Sequence, residues 1–182
     1  MKTARTAART ARLFFALWPG DAVRCALSDA AQRYGAECGG RVVRAENLHL
    51  TLAFLGEVAI DRIVVLDTIA TALDVPAFDL TLDTSGYWRH NRVVWIGTVR
   101  CPAPLLDLAQ RLAAALRAHG FRDEAREYAA HITLVREARR TPVSAAPAVS
   151  WPIADFVLVR STPGVRASNY EIVKRFALRT RR

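Results

Sequence analysis

Two short stretches of the chain carry side chains suited to acid–base chemistry: His49-Leu50-Thr51-Leu52-Ala53-Phe54 and His131-Ile132-Thr133-Leu134-Val135-Arg136. Both run histidine, aliphatic, threonine, leucine, in the alternation of a β-strand. Residues two apart on a strand share a face. Each stretch therefore sets an imidazole beside a hydroxyl and turns its aliphatic residues the other way. Imidazole exchanges protons near neutrality. Two imidazoles facing one substrate divide the work, one removing a proton and the other returning one to a leaving group. Thr51 and Thr133 supply neutral donors for an oxyanion, and Arg136 a planar guanidinium suited to phosphate. Together they are equipped for chemistry at a phosphodiester. Zinc takes three or four ligands, whereas each stretch offers one histidine with no cysteine or carboxylate on the same face, so neither metal nor cofactor is expected. One such motif reads as a structural histidine; its recurrence at the same spacing points to halves of a single site.

Strict alternation from each histidine turns Phe54 and Arg136 away from that site. For either to face substrate the strand must end, twist or bulge; otherwise Phe54 belongs to the core. His90 and His119 are read as structural, and Glu46 and Glu127 as solvated. The loop holding Tyr87, Trp88, Arg89 and His90 mixes aromatic and basic groups of the kind that stack on bases and hold phosphates. Arg41 and Arg44 precede the first motif and are expected at the rim of the cleft.

The elements that must position these groups follow from apolar periodicity and its breakers. An apolar strand over 13–18, expected to be central, leads through Pro19-Gly20-Asp21 into a helix over 22–34, with Asp21 as its cap. Gly35 and then Gly39-Gly40 are expected to break that helix. A brief strand over 41–44 precedes the first motif strand, 48–55, which Gly56 is expected to end. A helix over 60–73, a strand from Phe78 to Leu82 and a loop over 85–91 come next. Then follow a strand over 92–99 and a helix over 105–119. The second motif strand spans 128–135, an Ala-, Ser- and Pro-rich loop 141–152, and two strands 155–161 and 168–178. Strands come in pairs with helices between, and their order recurs roughly around the two motifs. The expectation is an α+β fold, bilobed, in which two pseudo-symmetric antiparallel-rich sheets line a central cleft with helices outside.

Length and charge set bounds. With 182 residues, 52% hydrophobic, the chain makes one bilobed domain over 12–182, after a basic tail over 1–11 expected to be disordered. No apolar run is long enough to span a bilayer. The net charge of +9 favours a polyanionic partner. Three scattered cysteines, Cys25, Cys38 and Cys101, have no metal spacing and suit a reducing, cytoplasmic compartment.

The paired motifs resemble those of the 2H phosphoesterases, and within them the RNA 2′,3′-cyclic phosphodiesterases, also called 2′-5′ RNA ligases. The resemblance extends over Arg12-Leu13-Phe14-Phe15-Ala16-Leu17, over 46–57, over Val93-Val94-Trp95-Ile96-Gly97 and over Tyr170-Glu171-Ile172-Val173. It implies hydrolysis of a terminal RNA 2′,3′-cyclic phosphate to a 2′-phosphomonoester, with 2′-5′ ligation as the reverse reaction; a monomer without an obligatory protein partner is expected. It also implies His49 as proton donor, His131 as proton acceptor, Thr51, Thr133 and Arg136 on the phosphoryl oxygens, and an aromatic at Phe54 stacking on a base. The residues by themselves leave the order of the two histidines open. They also leave two alternatives: a non-catalytic RNA-end binding protein, and a phosphodiesterase on small cyclic nucleotides.

Overall fold

The computed structural model describes residues 9–121, 128–164 and 168–180. In chain order the elements are β1 (Thr10–Leu17), α1 (Asp21–Cys38), β2 (Arg41–Val42), β3 (Leu50–Ala59), α2 (Ile63–Thr71), β4 (Phe78–Leu82), β5 (Thr84–Trp88) and β6 (Val93–Gly97). They continue as α3 (Ala103–Ala118), β7 (His131–Arg136), β8 (Val149–Ile153), β9 (Asp155–Thr162) and β10 (Asn169–Ala177). One sheet runs β10-β9-β1-β3-β7-β6-β5, with β2 also on β7, and β4 pairs β8 separately. Every strand pairing is antiparallel. The expected α+β architecture is thus present, and β1 is central as expected.

The two halves of the large sheet, β10-β9-β1-β3 and β7-β6-β5 with β2, are joined at one residue pair, Leu50 with Ile132. Each half contributes one motif strand at that junction. The helices cross over between halves. The helix after β1, α1, packs on β7 and β8, while α3, which follows β6, packs on β3 and α2. The back of both motif strands is thereby sealed. Leu50, Leu52, Ile132 and Leu134 lie in one core with Leu27 and Tyr34 of α1 and Leu108 and Leu112 of α3. Each of the larger aliphatic groups contributes roughly 1.5–3 kcal/mol on burial, so the face opposite the motif side chains is firmly anchored.

Several boundaries differ from the sequence reading, each for a local reason. Helix α1 continues through Gly35 to Cys38. A Cβ on Gly35 would lie 2.4 Å from Cγ2 of Val42, so this glycine serves close approach of β2 and not termination. The stop is Gly39 and Gly40, both at positive φ. Gly20 occupies the cap position and Asp21 opens the helix. Gly56, at φ 68°, bends β3 without ending it. Tyr87 and Trp88 sit on a hairpin strand, β5, and not in a loop. The Pro-rich stretch hides β8, which tolerates Pro152 because it belongs to a two-stranded ribbon with free edges. The second helix is preceded by a 3-10 turn, Ile60–Arg62. Thr10 and Ala11, expected in the tail, pair with β3 instead, and the Arg9 carbonyl accepts from the Ile60 N–H at 2.9 Å; residues 1–8 of that tail and Glu127 lie outside the described residues. No described helix is long and apolar enough to cross a membrane.

Candidate active site

His131 is the first residue of β7, and His49 immediately precedes β3. The two rings are held alike. Nδ1 of His49 donates to the Asn47 carbonyl at 2.7 Å, and Nδ1 of His131 donates to the Ala129 carbonyl at 2.8 Å. A carbonyl only accepts, so each Nδ1 carries the hydrogen and each Nε2 keeps its lone pair for a proton from elsewhere. Glu46 takes no part in this orientation, being paired with Arg44 at 3.3 Å. The Asn47 side chain in turn donates to the Ser168 carbonyl at 3.0 Å, tying the His49 turn to the start of β10.

The strands then do what alternation alone forbids. Along β1 and β3, Ala16 is opposite Thr51 and Phe15 opposite Ala53, so Leu52 is an extra residue. Along β6 and β7, Trp95 is opposite Thr133 and Val94 opposite Val135, so Leu134 is an extra residue. The same bulge therefore follows the threonine in both motifs. It sends Leu52 with Ala53, and Leu134 with Val135, into the core, and returns Phe54 and Arg136 to the threonine face. Phe54, which strict alternation turned toward the core, is thereby brought to the threonine face. The ring packs on the cleft-side apolar cluster with Phe14, Val157, Val159 and Ile172, and lies under the Arg12 guanidinium at 4.9 Å.

His49, Thr51, His131, Thr133 and Arg136 line one cleft of about 860 Å³, with Arg12, Arg41, Arg44, Trp88 and Tyr170 among the other walls. Phe54 lies beside this cleft and does not line it. His49 is enclosed by aromatic rings: Trp18 stacks on it at 5.3 Å and 7°, Phe14 is at 4.9 Å, and Tyr170 meets it edge-on at 5.2 Å. Among the described residues His131 has one such neighbour, Trp88, edge-on at 4.5 Å. Burial in this box pushes the His49 pKa down from 6.5 to about 4; the Asn47 hydrogen bond opposes the shift, and the Arg136 and His131 charges add to it. His131 is lowered too, mainly by burial and secondarily by Arg136, against the opposing Ala129 hydrogen bond.

Sequence reasoning missed the box of Phe14, Trp18 and Tyr170. The signal was present: Phe14, Ala16 and Trp18 alternate onto one face of the strand expected over 13–18. Trp88, Arg41 and Arg44 do line the cleft, as anticipated. His90 lies near Trp88 but not on the wall. His119 caps α3, its Nδ1 donating to the Ala115 carbonyl at 2.8 Å. Among the described residues no three ligand-type side chains converge in a way that could hold a metal. Cys38 is buried and its thiol is pushed up by that burial, an inert setting.

A sheet that presents two His-x-Thr strands across a basic cleft defines a two-histidine phosphoesterase scaffold, and the comparisons agree. The model of the 2′-5′ RNA ligase superfamily matches residues 21–162, and the chain belongs to that superfamily. It is 37% identical over 170 residues to the RNA 2′,3′-cyclic phosphodiesterase of Escherichia coli, covering 92% of this chain and 96% of that protein. It is 31% identical to the protein of the same name from Thermus thermophilus, covering 92% and 90%. Among solved structures, E. coli LigT in apo form superposes with a TM-score of 0.84 at 36% identity, covering 93% of this chain and 98% of that one. LigT complexed with 3′-AMP gives 0.85 at 34% identity, covering 93% and 99%.

Proposed function

We propose that this protein hydrolyses the terminal 2′,3′-cyclic phosphate of RNA, leaving a 2′-phosphomonoester and a free 3′-hydroxyl, with no metal or cofactor. The carrying observation is the pair of Nδ1-anchored imidazoles on one cleft wall set with Thr51, Thr133 and Arg136. The shared name of its relatives supports the same reading.

In this mechanism Nε2 of His131 takes a proton from water as the water oxygen bonds to phosphorus. The bond from phosphorus to the ribose 3′ oxygen breaks, and Nε2 of His49 protonates that oxygen. Thr51, Thr133 and Arg136 hold the non-bridging oxygens, on which charge accumulates. The order of the two histidines follows the family resemblance, and their surroundings give it a physical account. In the free protein burial and the Arg136 charge disfavour the imidazolium of both rings, that of His49 most. A bound phosphodiester anion offsets Arg136 and brings a negative charge to His49. The bound anion thus favours the imidazolium, and Nε2 of His49 takes up a proton from solvent as the substrate binds. In the reverse direction a 5′-hydroxyl replaces water and a 2′-5′ linkage forms through the same groups. We assign the reaction to a monomer in a reducing, cytoplasmic setting, in keeping with three unpaired cysteines.

The test is an oligonucleotide ending in 2′,3′-cyclic phosphate, followed by phosphorus NMR. The expected product is the 2′-phosphate alone. A 3′-phosphate, or full activity in His49→Ala or His131→Ala, overturns the mechanism. Binding without turnover would leave an RNA-end binding protein.

A further inference from the structure

The guanidiniums lining the cleft are not equivalent. Arg41 is paired with Glu137 at 3.1 Å, and Arg44 with Glu46 at 3.3 Å and with Asn169 at 3.2 Å. Arg136 ends the second motif strand, lines the cleft with both histidines, and is taken up by the reacting phosphate in the proposed mechanism. Arg12 remains, exposed on the cleft wall with no ion pair or hydrogen bond among the described residues. Glu57, opposite it in the β1–β3 register, accepts a hydrogen bond from Thr10 at 2.8 Å instead. The Arg12 guanidinium is laid over the Phe54 ring at 4.9 Å, which holds its flat fork in place without satisfying it.

Its position is set by β1. Phe14 touches His49, is opposite Phe54 in the register, and follows Arg12 by two residues on the same face. Arg12 therefore lies about 7 Å further along the strand, roughly one nucleotide unit from the acid. A cyclic-phosphate end has its chain continuing only through the 5′ oxygen of the last nucleoside. The next anion along any RNA substrate is the phosphodiester at that oxygen.

We propose that Arg12, braced by Phe54, binds the phosphodiester 5′ to the terminal nucleoside, and so makes the site select RNA ends over cyclic mononucleosides. This rests on the reading of His49 and His131 as the reacting pair. The experiment compares a dinucleotide ending in 2′,3′-cyclic phosphate with a nucleoside 2′,3′-cyclic phosphate lacking any 5′ phosphate, in wild type and Arg12→Gln. The expected result is a kcat/KM loss about tenfold larger on the dinucleotide than on the nucleoside. The salt dependence of the dinucleotide reaction is expected to flatten by about one unit of log–log slope. Equal losses on both substrates, or none on either, overturn the subsite. The same comparison is read in binding, using a dinucleotide and a nucleoside that end in 3′-phosphate. If wild type turns over neither cyclic substrate, the catalytic reading fails, while the binding comparison still decides Arg12.

Discussion

Titrating the protein's stability against pH tests the aromatic box around His49. The His49 pKa is depressed from 6.5 to about 4, chiefly by burial among Trp18, Phe14 and Tyr170. A folded pKa below the unfolded one means that the unfolded chain takes up the proton first. The stability this site contributes is complete above pH 6.5 and is lost as pH falls toward 4. Between about pH 7 and about pH 4.5 the loss works out at about 2.5 kcal/mol for this one group. Other groups also exchange protons on unfolding, so the quantity to measure is a difference. Urea unfolding of wild type and His49→Gln at both pH values isolates it, because the remaining groups cancel in the subtraction. Wild type is expected to lose about 2.5 kcal/mol more than the variant. Equal losses in the two proteins would refute the claim that the box keeps this imidazole neutral.

Further outcomes follow from other parts of the site. Trp18→Leu opens the box to water, so the His49 ring should titrate closer to 6.5 by NMR. The acid limb of kcat/KM should lie below pH 6.5, since the base must be neutral and His131 is lowered; Arg136→Gln removes one cause of that lowering and should move the limb upward. Gly40→Ala puts a Cβ 2.5 Å from the Arg136 carbonyl oxygen at φ +97°, and thermal unfolding should register a loss of about 2 kcal/mol or more. EDTA should leave the rate unchanged, because the motif donors are two lone histidines and not a ligand cluster.

The α+β class, the paired motif strands and most helices were legible in the sequence because each rests on local periodicity. The histidine–threonine pairs stood out because both strands keep strict alternation as far as Thr51 and Thr133. Alternation failed one residue later. A bulge at Leu52 or Leu134 is a property of register with β1 or β6, which no single strand records. For that reason Arg136 and Phe54 pointed the wrong way on paper. The cleft-side enclosure of His49 was hidden similarly, since it draws Phe14, Trp18 and Tyr170 from opposite ends of the chain. Gly35 misled because a glycine that admits a neighbouring strand looks, in sequence, like one that ends a helix. Strand β8 was masked by Pro152, which a central strand would reject but a two-stranded ribbon accepts.

The most direct measurement follows the ring signals of His49 and His131 while inorganic phosphate is added. If both imidazoles converge on one phosphoryl group, both signals shift along a single binding curve, and the pKa of each rises when the anion is bound. A response from only one ring, or two responses with different affinities, would contradict the account.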